Sequence, residues 1–444
     1  MTALTPPLRA ADAFVLRFSG PLHALSLVDR RALFDRAPAG PPDVLAETAR
    51  IIADVRNRGD DALRDMAQRF DRVNLETIEV PRAAIRAALD AISPALRQSM
   101  ERSARNIATV HQAFAPSSME TAPEPGIVVG RRPDPLARVG VYAPGGRATY
   151  PSSVLMGAIP ARVARVGEVT LCSPPDTSGK PAPAILAAAA LAGVDRVFAV
   201  GGAGAIAAMA LGTQSVPRVD RIVGPGNAYV AAAKLQLVGC VAIDSPAGPS
   251  ELLVLADESV DPRDVATEMI AQAEHDPSAC VVAVVIGDQH AAAVHRVLAT
   301  MMPLAPRRDV VASAVAAHGG VLSARTIEEA IAFVNDYAAE HLLLAVRSPE
   351  SALPHVRNAG TVFLGRSSSV AFGDYMTGAN HVLPTGGAAR FYSGLSPLDF
   401  VRWTTYQRVD ETAAAGLSED VGIFADAESL PGHAAAARRW AGQS

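Results

Sequence analysis

Apolar residues recur at helical spacing over residues 43–69 and 82–114, with charged residues between them, which predicts a mainly helical N-terminal region. Pro123, Pro125 and Gly126 then mark a loop. Beyond it the period changes. Short apolar runs at 168–172, 197–200, 221–223 and 241–243 alternate with alanine-rich stretches at 184–192, 205–211 and 228–237. A second series of runs follows at 252–255, 281–286, 342–346 and 361–364, again separated by helical patterns. Strand–helix alternation at this pitch predicts parallel sheets, and two blocks of it predict two similar α/β domains. No short internal repeat marks them as a duplication. From Gly394 onward the chain reads as a short tail, with Trp403 and Trp440 available to anchor it on its own body or on a partner subunit.

Composition narrows the function classes. Of 444 residues, 49% are hydrophobic, 19% charged and 5% aromatic, an ordinary globular balance that excludes wholesale disorder. A chain of this length can bury a large core without disulfides. The net charge is −5 with no basic stripe, which argues against a nucleic-acid partner. Cys172, Cys240 and Cys280 are odd in number and widely spaced, so no disulfide framework is expected and a cytoplasmic setting is. The first 20 residues lack the apolar core of a signal peptide, and runs such as 184–192 fall short of a membrane span. Lysine occurs only at 180 and 234, against a large excess of arginine; this is read as coding bias.

Several polar constellations could carry chemistry. The Gly-rich stretch 140–150, GVYAPGGRATY, precedes a helical pattern and could present backbone amides to an anion, or be a plain turn. GPGNAYV at 224–230 follows a strand and opens a helix; Asn227 there could cap the helix or meet a ligand. DSPAGPSE at 244–251 is a rigid polar connection carrying Ser250. Gln272 and His275 are three apart near a helix end, on one face. Glu340 and His341 sit where a helical pattern gives way to a strand, a junction that can bring a proton shuttle and a carboxylate into one cleft. Asp374, Asn380 and His381 lie in GDYMTGANHVLP, and Glu428 and His433 in the tail. Gln272, His275, Asp374 and His433 together form an N/O donor set that suits catalytic zinc, although spacing alone does not bring them together.

At these segments the chain resembles the histidinol dehydrogenase family. The matching stretches are VYAPGG, PSSVLMGAIPARVA, GPGNAYV, IDSPAGPSELLVLAD, AQAEHDPSA, NDYAAEHL, AGTVFLG, FGDYMTGANHVLPT and SGLSPLDF, in the family's order over about residues 130–400. The resemblance implies one zinc per subunit on Gln272, His275, Asp374 and His433, the last from the partner subunit of a homodimer. It implies that Glu340 and His341 are the catalytic pair, and that Ser250, His381 and Glu428 line the substrate pocket together with His341 and the zinc ligands. It implies NAD contacts at Tyr142 and Asn227. A third, usually glutamine, falls on Gly204 here, and Ala339 stands where a proline usually precedes the Glu-His pair.

The expected fold is α/β: two Rossmann-like parallel-sheet domains with a helical N-terminal region and a short C-terminal dimerisation tail. The expected boundaries are an arm over 1–24, a larger domain from 25–140 and 251–390, a smaller one over 141–250, and a tail over 391–444 open to exchange between subunits. The implied reaction is zinc-dependent oxidation of L-histidinol to L-histidine through L-histidinaldehyde with two NAD, on a small-molecule substrate, with no nucleic-acid or membrane partner. Two other readings fit the same segments: a paralogue acting on another primary alcohol such as a sulfonated diol, and a catalytically silent scaffold.

Overall fold

The structure, a computed structural model, describes residues 15–36, 41–145 and 149–442. Most of the expected arm over 1–24, and residues 146–148 of the Gly-rich stretch, therefore lie outside the described residues.

The strands are β1 (Phe18–Pro21), β2 (Met119–Thr121), β3 (Ile127–Pro135), β4 (Arg138–Tyr142), β5 (Glu168–Ser173), β6 (Arg196–Ala199), β7 (Arg221–Val223), β8 (Ala242–Ile243), β9 (Glu251–Ala256), β10 (Cys280–Ile286), β11 (Gly319–Ala324), β12 (His341–Ala345), β13 (Thr361–Leu364) and β14 (Val401–Val409). The α-helices are α1 (Leu27–Phe34), α2 (Pro42–Arg58), α3 (Asp60–Met66), α4 (Arg82–Ala91), α5 (Pro94–Ala113), α6 (Pro151–Val163), α7 (Pro183–Leu191), α8 (Gly202–Leu211), α9 (Ala228–Gln236), α10 (Pro262–Ala273), α11 (Asp288–Met301), α12 (Arg308–His318), α13 (Ile327–Tyr337), α14 (Pro349–Ala352), α15 (Val370–Tyr375), α16 (Glu411–Ala427) and α17 (Pro431–Arg438).

Two parallel sheets form the frame. One has six strands in the order β1-β11-β10-β9-β12-β13, the other five in the order β6-β5-β4-β7-β8. Strand β9, ELLVLA, shows why its run is unbroken. Leu252 and Val254 face a layer with Val265, Met269 and Val294 of α10 and α11, while Leu253 and Leu255 face Phe333, Val334 and Tyr337 of α13. A strand covered on both faces is apolar throughout, and successive side chains serve opposite layers.

Of the N-terminal region, which the sequence reading grouped with 251–390, α1 does pack with the six-stranded sheet through Leu33, whereas α2, α4 and α5 cover the five-stranded sheet. Helices α4 and α5 pack on α6 and α7, while α2 packs on α8 and α9. Ile85, Met100 and Ile107 share a core with Val139, Val141 and Leu155. Ile52, Val55 and Leu63 share another with Phe198, Ile206 and Met209. Their amphipathic stripes match the alanine-rich helices there, whose small side chains permit close helix contact.

A third sheet, antiparallel in the order β14-β3-β2, was not visible in the sequence pattern. Its strands mix apolar and charged residues without regular alternation and are largely open to solvent, and β3 contains Pro133 and Pro135. Trp403 of β14 pairs with Pro133 and lies 4.3 Å under the Arg131 guanidinium. After β14 the tail is a hairpin of α16 and α17 packed on each other. Among the described residues no helix is long and apolar enough to cross a membrane.

Candidate active site

The leading edge of the six-stranded sheet gathers the polar residues. Glu251 opens β9 and His341 opens β12, one register step apart, with His341 paired to Leu252. Helix α13 ends at Tyr337, and Ala338 takes a left-handed φ of 51° that turns the chain toward β12. Gly360 holds this junction from the side. Its N–H donates to Ala339 O at 2.9 Å, and a Cβ there would fall 2.5 Å from the Glu340 carbonyl oxygen. The close approach requires glycine.

Glu340 Oε2 accepts two hydrogen bonds, from Ser250 Oγ at 2.6 Å and from the Glu251 N–H at 2.7 Å. Ser250 Oγ in turn accepts from Gln272 Nε2 at 2.6 Å. His341 places Nδ1 at 2.9 Å from the Glu251 carbonyl oxygen and 3.4 Å from Glu340 Oε2. Its Nε2 is buried without a hydrogen-bond partner, 3.6 Å from Asp374 Oδ1. An Nδ1–H donated to a main-chain carbonyl fixes that nitrogen as a donor, so Nε2, facing Asp374, is the nitrogen that gains or loses a proton. Burial disfavours the imidazolium, but the Glu340 and Asp374 carboxylates outweigh it and push His341 up to about 10. Burial also raises Asp374, yet the close His341 ring, with His381 and His275 nearby, holds it below the usual carboxylate range.

Of the four expected zinc ligands, three belong to this region. Gln272 lies in the last turn of α10 and is buried; His275 follows the helix and is exposed. Asp374 sits on α15, close enough to His275 to feel its charge. Gln272 uses its amide nitrogen on Ser250, so its oxygen is free to ligate, and the set of amide oxygen, imidazole and carboxylate fits a zinc ion that has one more ligand to find. His433 and Glu428 stand exposed on the α16–α17 hairpin, and among the described residues neither side chain shares a hydrogen bond or ion pair with the cluster. Among the described residues of one chain no group of three or more His, Cys, Asp or Glu side chains is gathered for a metal. His381 joins the cluster by placing Nδ1 3.0 Å from the Asp374 carbonyl oxygen, with Nε2 3.5 Å from Ser153 Oγ.

The expected NAD residues collect elsewhere, at the trailing ends of β4 and β7. In the five-stranded sheet β5 and β6 lie to one side of β4, β7 and β8 to the other, so strand order reverses between β4 and β7, the crevice where open α/β sheets bind ligands. Tyr142 ends β4; it is buried, its hydroxyl accepts from the Gly202 N–H at 3.0 Å, and burial pushes it up to about 12. Asn227 caps α9, accepting from Tyr229 N at 3.1 Å and Val230 N at 3.2 Å, which leaves its amide N–H groups uncommitted. Gly204 lies inside α8, and a Cβ there would fall 2.8 Å from Met66 Sδ and 3.5 Å from Leu63 Cδ2. A side chain at 204 therefore meets Met66 first, and a glutamine would have to displace it.

Sequence reasoning missed some of the supports. Lys234, noted in the sequence only as one of two lysines, is buried against Asp244 at 2.6 Å and donates to the Gly224 carbonyl at 2.6 Å, while Asp244 accepts the Gly224 N–H at 2.7 Å. The pair fixes the turn before Asn227. A lysine in an otherwise apolar helix was the available signal. Helix α5 also supports the loop after Asp374: Ser103 Oγ donates to Tyr375 O at 2.6 Å, and Asn106 Nδ2 to Met376 O at 2.7 Å. Asn380 donates to Met156 O at 2.8 Å and lies 3.5 Å from His111 Nε2.

Comparison with known proteins is consistent across sequence and structure. The family model described as histidinol dehydrogenase matches residues 35–440. A histidinol dehydrogenase of Methanosarcina barkeri is 43% identical over 420 residues, 94% of this chain and 96% of that protein. One from Natronomonas pharaonis is 48% identical over 411 residues, 92% of this chain and 96% of its own. The crystal structure of histidinol dehydrogenase from Elizabethkingia anophelis superposes with a TM-score of 0.91 at 35% identity, covering 96% of this chain and 98% of that one.

Proposed function

The chain belongs to the histidinol dehydrogenase family, and from that premise we propose that it oxidises L-histidinol to L-histidine through L-histidinaldehyde, with zinc and two NAD per turnover, as a cytoplasmic homodimer. The observation that carries this reading is the buried His341 ring, whose unpartnered Nε2 faces Asp374 while Nδ1 lies 3.4 Å from the Glu340 that Ser250 holds.

Gln272, His275 and Asp374 of one subunit and His433 of the other would hold the zinc, which when bound orients the substrate amine and imidazole. Tyr142 and Asn227 would hold NAD, the hydride acceptor. With Asp374 committed to the zinc, its pull on the His341 proton would weaken, and the neutral Nε2 would take the hydroxyl proton in each oxidation, its tautomer set by the Glu251 carbonyl. Glu340 acts between them. Its Oε2 is committed to Ser250 and the Glu251 N–H, which leaves Oε1 to draw a proton from water as the aldehyde is hydrated. Burial raises the thiols of Cys172 to a protonated state and Cys280 to about 12, so neither offers the thiolate that a covalent aldehyde route needs.

The homodimer reading draws on the tail. Phe424 is 74% exposed and Ile423 56% exposed on α16, an apolar face that a second copy would cover while carrying His433 and Glu428 to the other site. Incubating zinc-loaded protein with NAD and L-histidinol tests the reading: NADH should form, and its absence from folded, metal-replete protein would point to the paralogue.

A further inference from the structure

Glu251 touches the catalytic pair at three points. Its N–H donates to Glu340 Oε2 at 2.7 Å, and its carbonyl accepts from His341 Nδ1 at 2.9 Å. Its own carboxylate accepts the Glu340 N–H at 3.4 Å on Oε2 and the Gly386 N–H at 2.9 Å on Oε1. The residue is 1% exposed. Two carboxylates are thus buried back to back at one strand end, and nothing in the proposed chemistry uses the second.

The opposing charge comes from far away in the chain. Arg36, just beyond the end of α1, places Nη1 2.5 Å from Glu251 Oε2, and both side chains are almost fully buried. Its guanidinium lies 3.5 Å over the Tyr337 ring and donates from Nη2 to the Tyr337 carbonyl, in the last turn of α13. The other groups around Glu251 are neutral or acidic: the Cys280 thiol on β10, the Tyr337 hydroxyl on α13 and Glu340 itself. Among the described residues Arg36 is the cation paired with Glu251. A buried carboxylate deprived of its partner either repels its neighbour or takes a proton and reorganises its hydrogen bonds.

We propose that Arg36 and Glu251 form a buried charge clamp that positions Glu340 and His341: Glu251 holds the pair through its main chain and carboxylate, and Arg36 balances the charge of that second carboxylate. The clamp rests on the reading of Glu340 and His341 as the catalytic pair. Both members are positioning residues; neither touches the reacting atoms.

A charge clamp differs from simple packing in how its variants combine. Arg36→Met leaves Glu251 unbalanced beside Glu340, Glu251→Gln leaves a buried cation, and the double variant restores neutrality with a shape close to the original. Steady-state oxidation of L-histidinal should show kcat falling roughly 10²-fold in Arg36→Met, the size of lost general-base help, with KM for L-histidinal changed less than about threefold. The double variant should recover to within about tenfold of wild type, so that removing both charges costs less than removing either. Arg36→Gln replaces Arg36→Met in the cycle if the methionine variant does not fold, as judged by far-UV circular dichroism. A double variant as poor as the worse single, or an Arg36→Met enzyme with wild-type kcat, overturns the clamp. Glu340→Gln is measured alongside: wild-type kcat there would sink the catalytic reading itself, whereas its loss together with an unaffected Arg36→Met sinks only the clamp.

Discussion

Ser250 donates its hydroxyl proton to Glu340 Oε2 across 2.6 Å. Ser250 Oγ itself accepts from Gln272 Nε2 at 2.6 Å, so one hydroxyl ties the proposed base to a proposed zinc ligand. Removing it leaves the carboxylate short of a charge-assisted partner, a loss of about 1.5–3 kcal/mol. Ser250→Ala should therefore lower kcat for L-histidinal oxidation roughly 10- to 100-fold. Unchanged kcat in steady-state assays would show that Glu340 does not depend on this bond.

The two halves of the oxidation separate Glu340 from His341. Each hydride departure requires loss of a hydroxyl proton, which assigns His341 to both, whereas water activation belongs to the second alone. His341→Asn should suppress oxidation of L-histidinol and of L-histidinal alike. Glu340→Gln should slow the aldehyde step more than the alcohol step, by ~10²-fold or more. Single-turnover NADH traces with each substrate decide this, and equal slowing of both steps by Glu340→Gln contradicts the division.

A shared site predicts complementation between subunits. His433→Ala and His341→Asn homodimers should each be inactive, and the His433→Ala homodimer should have lost zinc. Mixed dimers contain one intact site, built from the His433→Ala body and the His341→Asn tail. Unfolding and refolding the two variants together should restore activity, whereas either variant treated alone stays inactive. No recovery in verified mixed dimers would place His433 outside the partner's site.

Burial lowers His111 to about 4, against about 6.5 in an unfolded chain. The unfolded state therefore binds the extra proton first, and the associated stability is complete above about pH 6.5 and drains away as pH falls toward 4. Because His111 lies beside Asn380, next to His381, that loss falls on the loop carrying the substrate-side histidine. The gap in Tm between wild type and His111→Gln should narrow from pH 7 to pH 4.5. A gap independent of pH would remove His111 as the cause.

The legible parts of the sequence were those with one dominant period. Strands such as β9 and β10, covered on both faces, gave unbroken apolar runs, and the alanine-rich helices over 183–236 were equally plain. Strand β11 was lost because GGVLSA directly continues the pattern of α12, and the antiparallel sheet because its strands are wet on both faces. Glu340 and His341 were recognisable from the junction they occupy. Glu251 was not, although a charge opening the apolar strand ELLVLA is a visible anomaly. Its pairing with Arg36 is a contact between distant segments that no local pattern encodes.

The central claim is a four-electron oxidation of histidinol at one site. Zinc-loaded protein is mixed with excess NAD and a limiting, known amount of L-histidinol, and NADH is followed to its end point. The account predicts two NADH per L-histidinol, with L-histidine as the product. One NADH per L-histidinol with L-histidinaldehyde accumulating, or no NADH at all from folded protein with zinc bound, would contradict it.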